Sequence, residues 1–197
     1  MKAYPLSEYG ELAAGVREVL ISTDEIEARV AELGRAISTD YAGRKPLLVG
    51  VLKGVLLFMA DLLRAISIPV EVDFIDIASY TPESRDRGFV QFVKDLDLSV
   101  SGRHLIFVED VVDTGLTLNY LLRNMRARNP ASLEVCALFL RERRRLIDLP
   151  IKYKGFDLPD KFVVGYGLDH RELYRNLPCI GLLKAEALTG DGVNRTE

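Results

Sequence analysis

His104-Leu-Ile-Phe-Val-Glu-Asp-Val-Val-Asp-Thr-Gly-Leu-Thr-Leu118 decides the fold class of this chain. The stretch is apolar from Leu105 to Val108 and then meets two adjacent carboxylates, Glu109 and Asp110. Two apolar residues follow, then Asp113-Thr114-Gly115-Leu116-Thr117 and a helical pattern. A short apolar run bounded by turn residues reads as a buried strand, and here the acids stand at its C-terminal end. Open parallel sheets bind their ligands at that end of the strands. The turn offers an anion backbone N–H groups, two hydroxyls and the positive end of a helix dipole. The acids beside it suit sugar hydroxyls or a magnesium ion, so a phosphorylated sugar would use both halves.

The same alternation extends in both directions. Upstream, Ser22-Thr-Asp-Glu25 has the form of a capping box, and Ile26, Val30, Leu33 and Ile37 follow at helical spacing. A helix is predicted over roughly residues 24–39. Pro46 opens an apolar strand, Leu47 to Leu52, which breaks at Lys53-Gly54, and residues 55–66 read as a mostly apolar helix. Pro69 opens a strand in which Val70, Val72 and Phe74 alternate with Glu71 and Asp73. Tyr80 to Gly88 is polar and aperiodic, the pattern of a mobile loop, and Phe89 to Val93 reads as a short strand. Downstream, Leu118, Leu121, Leu122 and Met125 form one stripe of a helix ending before Pro130. Leu133–Leu140, Phe162–Leu168 and Cys179–Leu183 read as further strands. Strands alternating with helices predict an α/β fold: a largely parallel central sheet flanked by helices, with right-handed crossovers.

The 197 residues contain no repeat, low-complexity segment or linker that would divide them, so a single domain is expected. The last eight residues, from Gly190, are expected to fray. A net charge of −3 with dispersed basic residues gives no electrostatic basis for non-specific nucleic-acid binding. The one basic cluster, Arg141 to Arg145, is interrupted by Glu142 and reads as a solvated loop. Cys136 lies in an apolar run and Cys179 follows Pro178, a spacing that forms neither a disulfide framework nor a zinc pattern. A reducing compartment fits. There is no secretory signal pattern and no apolar run near the ~20 residues that span a bilayer, so a cytoplasmic protein without membrane partners is expected.

Val108-Glu-Asp-Val-Val-Asp-Thr-Gly-Leu-Thr117 resembles the phosphoribosyl pyrophosphate (PRPP) signature of type I phosphoribosyltransferases. Three further blocks resemble the hypoxanthine-guanine branch of that family: Gly50-Val-Leu-Lys-Gly-Val-Leu-Leu-Phe58, Ser79-Tyr80 before the mobile loop, and Leu158-Pro-Asp-Lys-Phe-Val-Val-Gly-Tyr-Gly-Leu-Asp169. Arg175 follows at the distance the family implies. The resemblance runs from about Leu47 to Leu183. It implies the type I phosphoribosyltransferase fold, with a core over about residues 40–170. A small hood would be formed by the N-terminal segment and residues 171–190, with a mobile loop over the site.

The implied reaction transfers 5-phosphoribosyl from PRPP to N9 of hypoxanthine or guanine, giving IMP or GMP and releasing pyrophosphate, with Mg2+. Thr114, Gly115, Leu116 and Thr117 would wrap the 5′-phosphate, because a glycine turn admits backbone N–H donors close to an anion. Glu109 and Asp110 would hold the ribose hydroxyls, directly or through hydrated magnesium. Lys53 and Gly54 would contact pyrophosphate, in this family often with a cis peptide before the lysine. Asp113 would act as general base or proton holder at N7. Phe162 would stack on the purine, and the backbone of Val163 would read its edge. Asp169 would stand near a second magnesium and the purine 2-position, and Arg175 would clamp pyrophosphate. Ser79 and Tyr80 would begin the loop that excludes water. A homodimer or homotetramer is the assembly the resemblance implies.

Two departures from the family pattern bear on specificity. Counting back from Gly155-Phe156, Arg141 stands where the family usually has a lysine that donates to O6 of the purine. Arginine keeps charge and donors but is longer and planar. The segment Pro82-Glu-Ser-Arg-Asp-Arg87 replaces a shorter run of small residues. Alternatives are a phosphoribosyltransferase with shifted preference, toward xanthine, and a PRPP-sensing nucleic-acid-binding regulator on the same scaffold. The acidic balance and the presence of Asp113 weigh against the regulator.

Overall fold

In chain order the elements are α1 (Glu11–Ala14), β1 (Val16–Ile21), α2 (Thr23–Asp40), β2 (Leu47–Leu52), α3 (Leu56–Ala65), β3 (Glu71–Ile77), β4 (Phe92–Lys94), β5 (His104–Val112), α4 (Leu116–Arg126), β6 (Ser132–Leu140), a 3-10 turn (Glu142–Arg144), β7 (Tyr153–Asp157), β8 (Val163–Val164), β9 (Ile180–Leu183) and α5 (Ala185–Thr189). They come from a computed structural model that describes residues 9–78 and 91–189. Ser79, Tyr80 and the loop that follows lie outside the described residues. The chain divides into two compact units, one formed by residues up to Ile26 together with those from Lys161, the other by Glu27–Asp160.

The larger unit is built on a six-stranded sheet in the order β4-β3-β2-β5-β6-β7. All its neighbours run parallel except β4, which is antiparallel to β3. The central strands carry buried residues on both faces, including Leu47–Val49, Leu105–Val108 and Cys136–Leu140. Such continuous burial is what crossover helices on both faces of a parallel sheet produce. Against one face packs α4 through Leu118, Leu121, Leu122 and Met125, joined in one core with Leu105, Phe107 and Val135. The register Gly50↔Val108↔Cys136 brings the C-terminal ends of β2, β5 and β6 to one edge of the sheet.

The capping box at the start of α2 forms as the sequence predicts. Ser22 N–H donates to Glu25 Oε2 at 2.8 Å and Glu25 N–H donates to Ser22 Oγ at 3.3 Å. A cap of this kind stabilises a helix start by about 1 kcal/mol. Ile26, Val30, Leu33 and Ile37 are all buried.

Three features go beyond the local sequence pattern. On β3 the polar alternate is the buried one: Asp73 is 6% exposed, whereas Val72 and Phe74 are half-buried. Its carboxylate accepts N–H bonds from Phe74, Asp97 and Leu98 at 2.8–2.9 Å, and Lys94 pairs with it. Burial opposes its charge, but those donors outweigh burial and hold the carboxyl below its ordinary value. The segments read as Phe162–Leu168, within the expected core, and Cys179–Leu183, within the expected hood, both lie outside the parallel sheet. They supply β8 and β9 of a separate antiparallel sheet, β1-β9-β8, in the smaller unit. Strand β8 stops after two residues because Gly165, Tyr166 and Gly167 all take positive φ. Finally, β1 and β7 were not read from the sequence at all. Arg17-Glu18 and Lys154-Gly155 interrupt their apolar patterns.

Candidate active site

The phosphate turn joins β5 to α4. Gly115 has φ 81°, ψ −5°, a left-handed conformation that a side chain disfavours, and it caps α4. A Cβ there would press on Leu149 Cδ1 at 3.3 Å. Thr114 Oγ accepts from Leu116 N–H at 3.4 Å, and Asn119 N–H donates to the Gly115 carbonyl at 2.9 Å. Glu109, Asp113, Thr114, Gly115 and Thr117 line one cleft of about 230 Å³, with Val51, Ile77, Val111, Val112 and Leu118 as its apolar walls. The sequence reading found the polar members of this cleft and not its walls, whose residue types carry no signal beyond that of a core.

The two adjacent acids of β5 meet different surroundings, since successive strand residues point to opposite faces. Glu109 is 8% exposed. Burial, and then the neighbouring charge of Asp110, pushes its carboxyl well above the ordinary glutamate value. Asp110 is half-buried and accepts from Val111 N–H at 2.7 Å. Its Oδ2 occupies the space a Cβ would take at Gly54, so only glycine admits the carboxylate there. Lys53, exposed at the end of β2, follows a cis Leu52–Lys53 peptide bond. The structure thus brings Gly54 and Asp110 together, while Lys53, Gly54, Asp110 and Leu116 are not among the cleft-lining residues.

Asp113 has one oxygen 3.6 Å from Arg144 Nη1, and its other oxygen, Oδ1, is buried with no hydrogen-bond partner. Arg141 N–H donates to the Val112 carbonyl at 3.0 Å, and the Arg141 Nε is likewise buried without a partner. Arg144 is a contact of the site that sequence reading passed over as part of a solvated cluster. Its signal was only its place three residues after Arg141.

The remaining candidates belong to the smaller unit. Val163 is buried and pairs with Leu182 in the antiparallel sheet. Phe162 is 44% exposed, with one edge contact to His170 at a centroid distance of 5.3 Å. A large aromatic side chain left this open has a face available for stacking. Asp169 pairs with Arg175 at 2.9 Å and accepts from Glu172 N–H at 2.9 Å, so it would have to exchange those bonds to ligate a metal. Arg175 also donates to the Gly167 carbonyl at 2.8 Å and pairs with Glu172 at 3.3 Å. Its Nε is buried and unpartnered.

Acids beside a hydroxyl-bearing turn, at the C-terminal ends of parallel strands, suit a sugar phosphate. Residues 22–171 match the family model described as "Phosphoribosyl transferase domain". A hypoxanthine-guanine phosphoribosyltransferase of Bacillus subtilis is 46% identical over 169 residues, covering 86% of this chain and 94% of that protein. A crystal structure of a hypoxanthine phosphoribosyltransferase from Staphylococcus aureus matches with a TM-score of 0.85 at 41% identity, over 90% of this chain and 96% of that one. The chain belongs to the hypoxanthine-guanine phosphoribosyltransferase family. It is also 45% identical over 171 residues to the bifunctional protein TilS/HprT of Listeria monocytogenes, covering 87% of this chain but only 26% of that protein's length.

Proposed function

We propose that this chain transfers the 5-phosphoribosyl group of PRPP to N9 of hypoxanthine or guanine, forming IMP or GMP and pyrophosphate. The observation that carries this reading is the cleft in which the left-handed Gly115 turn, with its two threonines, stands beside buried Glu109 and Asp113. Family membership supports the same reaction.

In this mechanism the Thr114–Thr117 turn binds the 5′-phosphate through backbone N–H groups and hydroxyls. Glu109 and Asp110 hold the ribose 2′- and 3′-hydroxyls. Lys53, Gly54 and Arg175 bind pyrophosphate, Phe162 stacks on the base, and Val163 and Asp169 meet its edge. Arg141 donates to O6, a role open to its unpartnered Nε–H. Asp113 Oδ1 accepts the proton at N7, which raises electron density on the attacking nitrogen as the ribosyl carbon loses pyrophosphate. Orientation and fixed charge, more than covalent chemistry, lower the barrier.

Magnesium fits the donor set. Glu109 and Asp110 are hard oxygen donors, and magnesium needs few carboxylates when substrate oxygens complete its shell. Among the described residues no group of three or more His, Cys, Asp or Glu side chains is arranged to hold a metal, so substrate oxygens would complete the shell. When bound, the ion would neutralise charge on the departing pyrophosphate. Glu109, Asp110 and Asp169 are the side chains proposed to hold it.

Incubating the protein with PRPP, magnesium and each of hypoxanthine, guanine, xanthine and adenine tests the reading. Nucleotide from hypoxanthine or guanine supports it, product mainly from xanthine shifts the base preference, and product only from adenine overturns the 6-oxopurine assignment. No product with any base, together with salt-steep nucleic-acid binding, would favour a regulator. Among the described residues no helix is long and apolar enough to cross a membrane. The proposal includes a cytoplasmic location and a homodimer or homotetramer, checked by fractionation and light scattering.

A further inference from the structure

We propose that Arg144 is a positioning residue for Asp113, acting through that carboxylate and not on substrate. Arg144 bridges two acids: its Nη1 lies 3.6 Å from Asp113 Oδ2, and its Nε donates to Asp160 Oδ1. One edge of the Asp113 carboxylate is thereby held. The other oxygen is buried and unpartnered, the state expected of an atom reserved for a ligand.

The backbone fixes where Arg144 stands relative to Asp113. Arg141 N–H donates to the carbonyl of Val112 and Leu146 N–H to that of Thr114, both at 3.0 Å. These are the residues immediately before and after Asp113, so the 141–146 segment is tied to both flanks of the acid. Within the segment the 3-10 turn closes through Arg144 N–H to the Arg141 carbonyl at 2.9 Å. Asp160 then pins the guanidinium from the far side.

Stability does not account for the arrangement. Arg144 and Asp113 are 43% and 44% exposed, and pairs this exposed contribute roughly 0–1 kcal/mol. Orientation matters more: a displacement of about 1 Å in a reacting group can cost on the order of a hundredfold in rate. A guanidinium fork can hold Asp113 and Asp160 at once, which a lysine ammonium on its flexible stem cannot do in one fixed geometry.

The inference rests on the transfer reaction proposed above, and its test separates the two. Initial rates with hypoxanthine and PRPP are measured for the full chain and for R144Q, R144K, D160N and R144Q/D160N, each checked for an unchanged melting temperature. R144Q is expected to lower kcat about tenfold while KM for both substrates stays within about twofold. R144K should recover only part of the loss, D160N should lose less than R144Q, and the double variant should be no slower than R144Q, because both act along one path. An R144Q enzyme with wild-type kcat overturns the inference, as does one whose KM rises while kcat holds. Crystal structures of wild type and R144Q give a readout independent of turnover. A rotated Asp113 carboxylate in R144Q supports the role, and an unmoved one refutes it. A wild-type protein that forms no nucleotide with any base would instead remove the reaction, and the orientation comparison would still decide what Arg144 does.

Discussion

Replacing Glu109 by glutamine tests the electrostatics of the site without touching its shape. In the folded protein Glu109 is buried beside Asp110, and its carboxyl titrates well above the ordinary value of 4.5. The folded state therefore binds this proton more tightly than the unfolded chain does. The resulting stabilisation is complete below pH 4.5 and is lost as pH rises through the folded-state value. Over that window wild-type stability carries a downward contribution approaching about 1.4 kcal/mol per pH unit. Glutamine has no charge to bury, so E109Q lacks this contribution. Acids held below their ordinary range elsewhere, such as Asp40 by Lys152 and Asp95 by Arg128, titrate alike in both proteins and cancel in the difference. Urea unfolding in EDTA at pH 5, 6, 7 and 8 is the assay, with pH values about one unit apart to resolve the slope. The stability of E109Q relative to wild type should rise with pH. Magnesium with PRPP should then reverse the order at neutral pH, since a ligand at a hundred times its Kd stabilises by about 2.7 kcal/mol and glutamine is the poorer ligand. Parallel stability curves for the two proteins, separated by a constant offset, would refute the upward displacement of the Glu109 carboxyl by its surroundings.

Other substitutions test the site piece by piece. Asp113→Asn should lower turnover roughly 10²–10⁴-fold with little change in PRPP affinity, read from kcat alongside equilibrium PRPP binding; wild-type turnover would remove Asp113 from proton transfer. Gly54→Ala drives a Cβ into the Asp110 carboxylate, and should cut kcat/KM at least about tenfold while shifting the magnesium concentration for half-maximal rate upward. An unaltered magnesium dependence would count against Asp110 as a ligand. Gly115→Ala forces a side chain into the left-handed region at φ 81° and against Leu149, so it should cost about 1–2 kcal/mol in urea unfolding and raise KM for PRPP. A stability equal to wild type would show that the turn relaxes.

What the sequence made legible was whatever is encoded locally. The Ser22–Glu25 box, the stripe Leu118–Met125 and the strand-acid-turn run at 104–118 each contain their own signal within a short local stretch, and each forms as read. Where pairing is decided by distant segments, composition alone does not name the partner. Cys179–Leu183 has the composition of a buried strand, and its partner is β1 near the other end of the chain, antiparallel in the register Val16↔Leu183. The burial of Asp73 carries no local signal, because its partners, the N–H groups of Asp97 and Leu98, lie more than twenty residues away. Arg144 was passed over for the same reason, since neither Asp113 nor Asp160 is a sequence neighbour. The resemblance supplied the polar site residues but was silent on such couplings.

Glu109 and Asp110 show how strand geometry turns a repeated residue type into two different instruments. Adjacent positions on β5 must face opposite ways, so one acid is buried at the cleft and the other lies against Gly54. The buried acid resists ionisation by itself, and a cation or a pair of ribose hydroxyls restores what burial removed. At the proposed site a cation would compete with the proton for the same oxygens, and its binding would release the proton. Asp113, three residues beyond Asp110 and past the end of the strand, lies instead beside Arg144. In the proposed reaction, such an arrangement would separate the acids that hold the sugar from the acid that handles the base proton. The separation follows from where each falls relative to the last hydrogen-bonded pair of the strand, Val112↔Leu140.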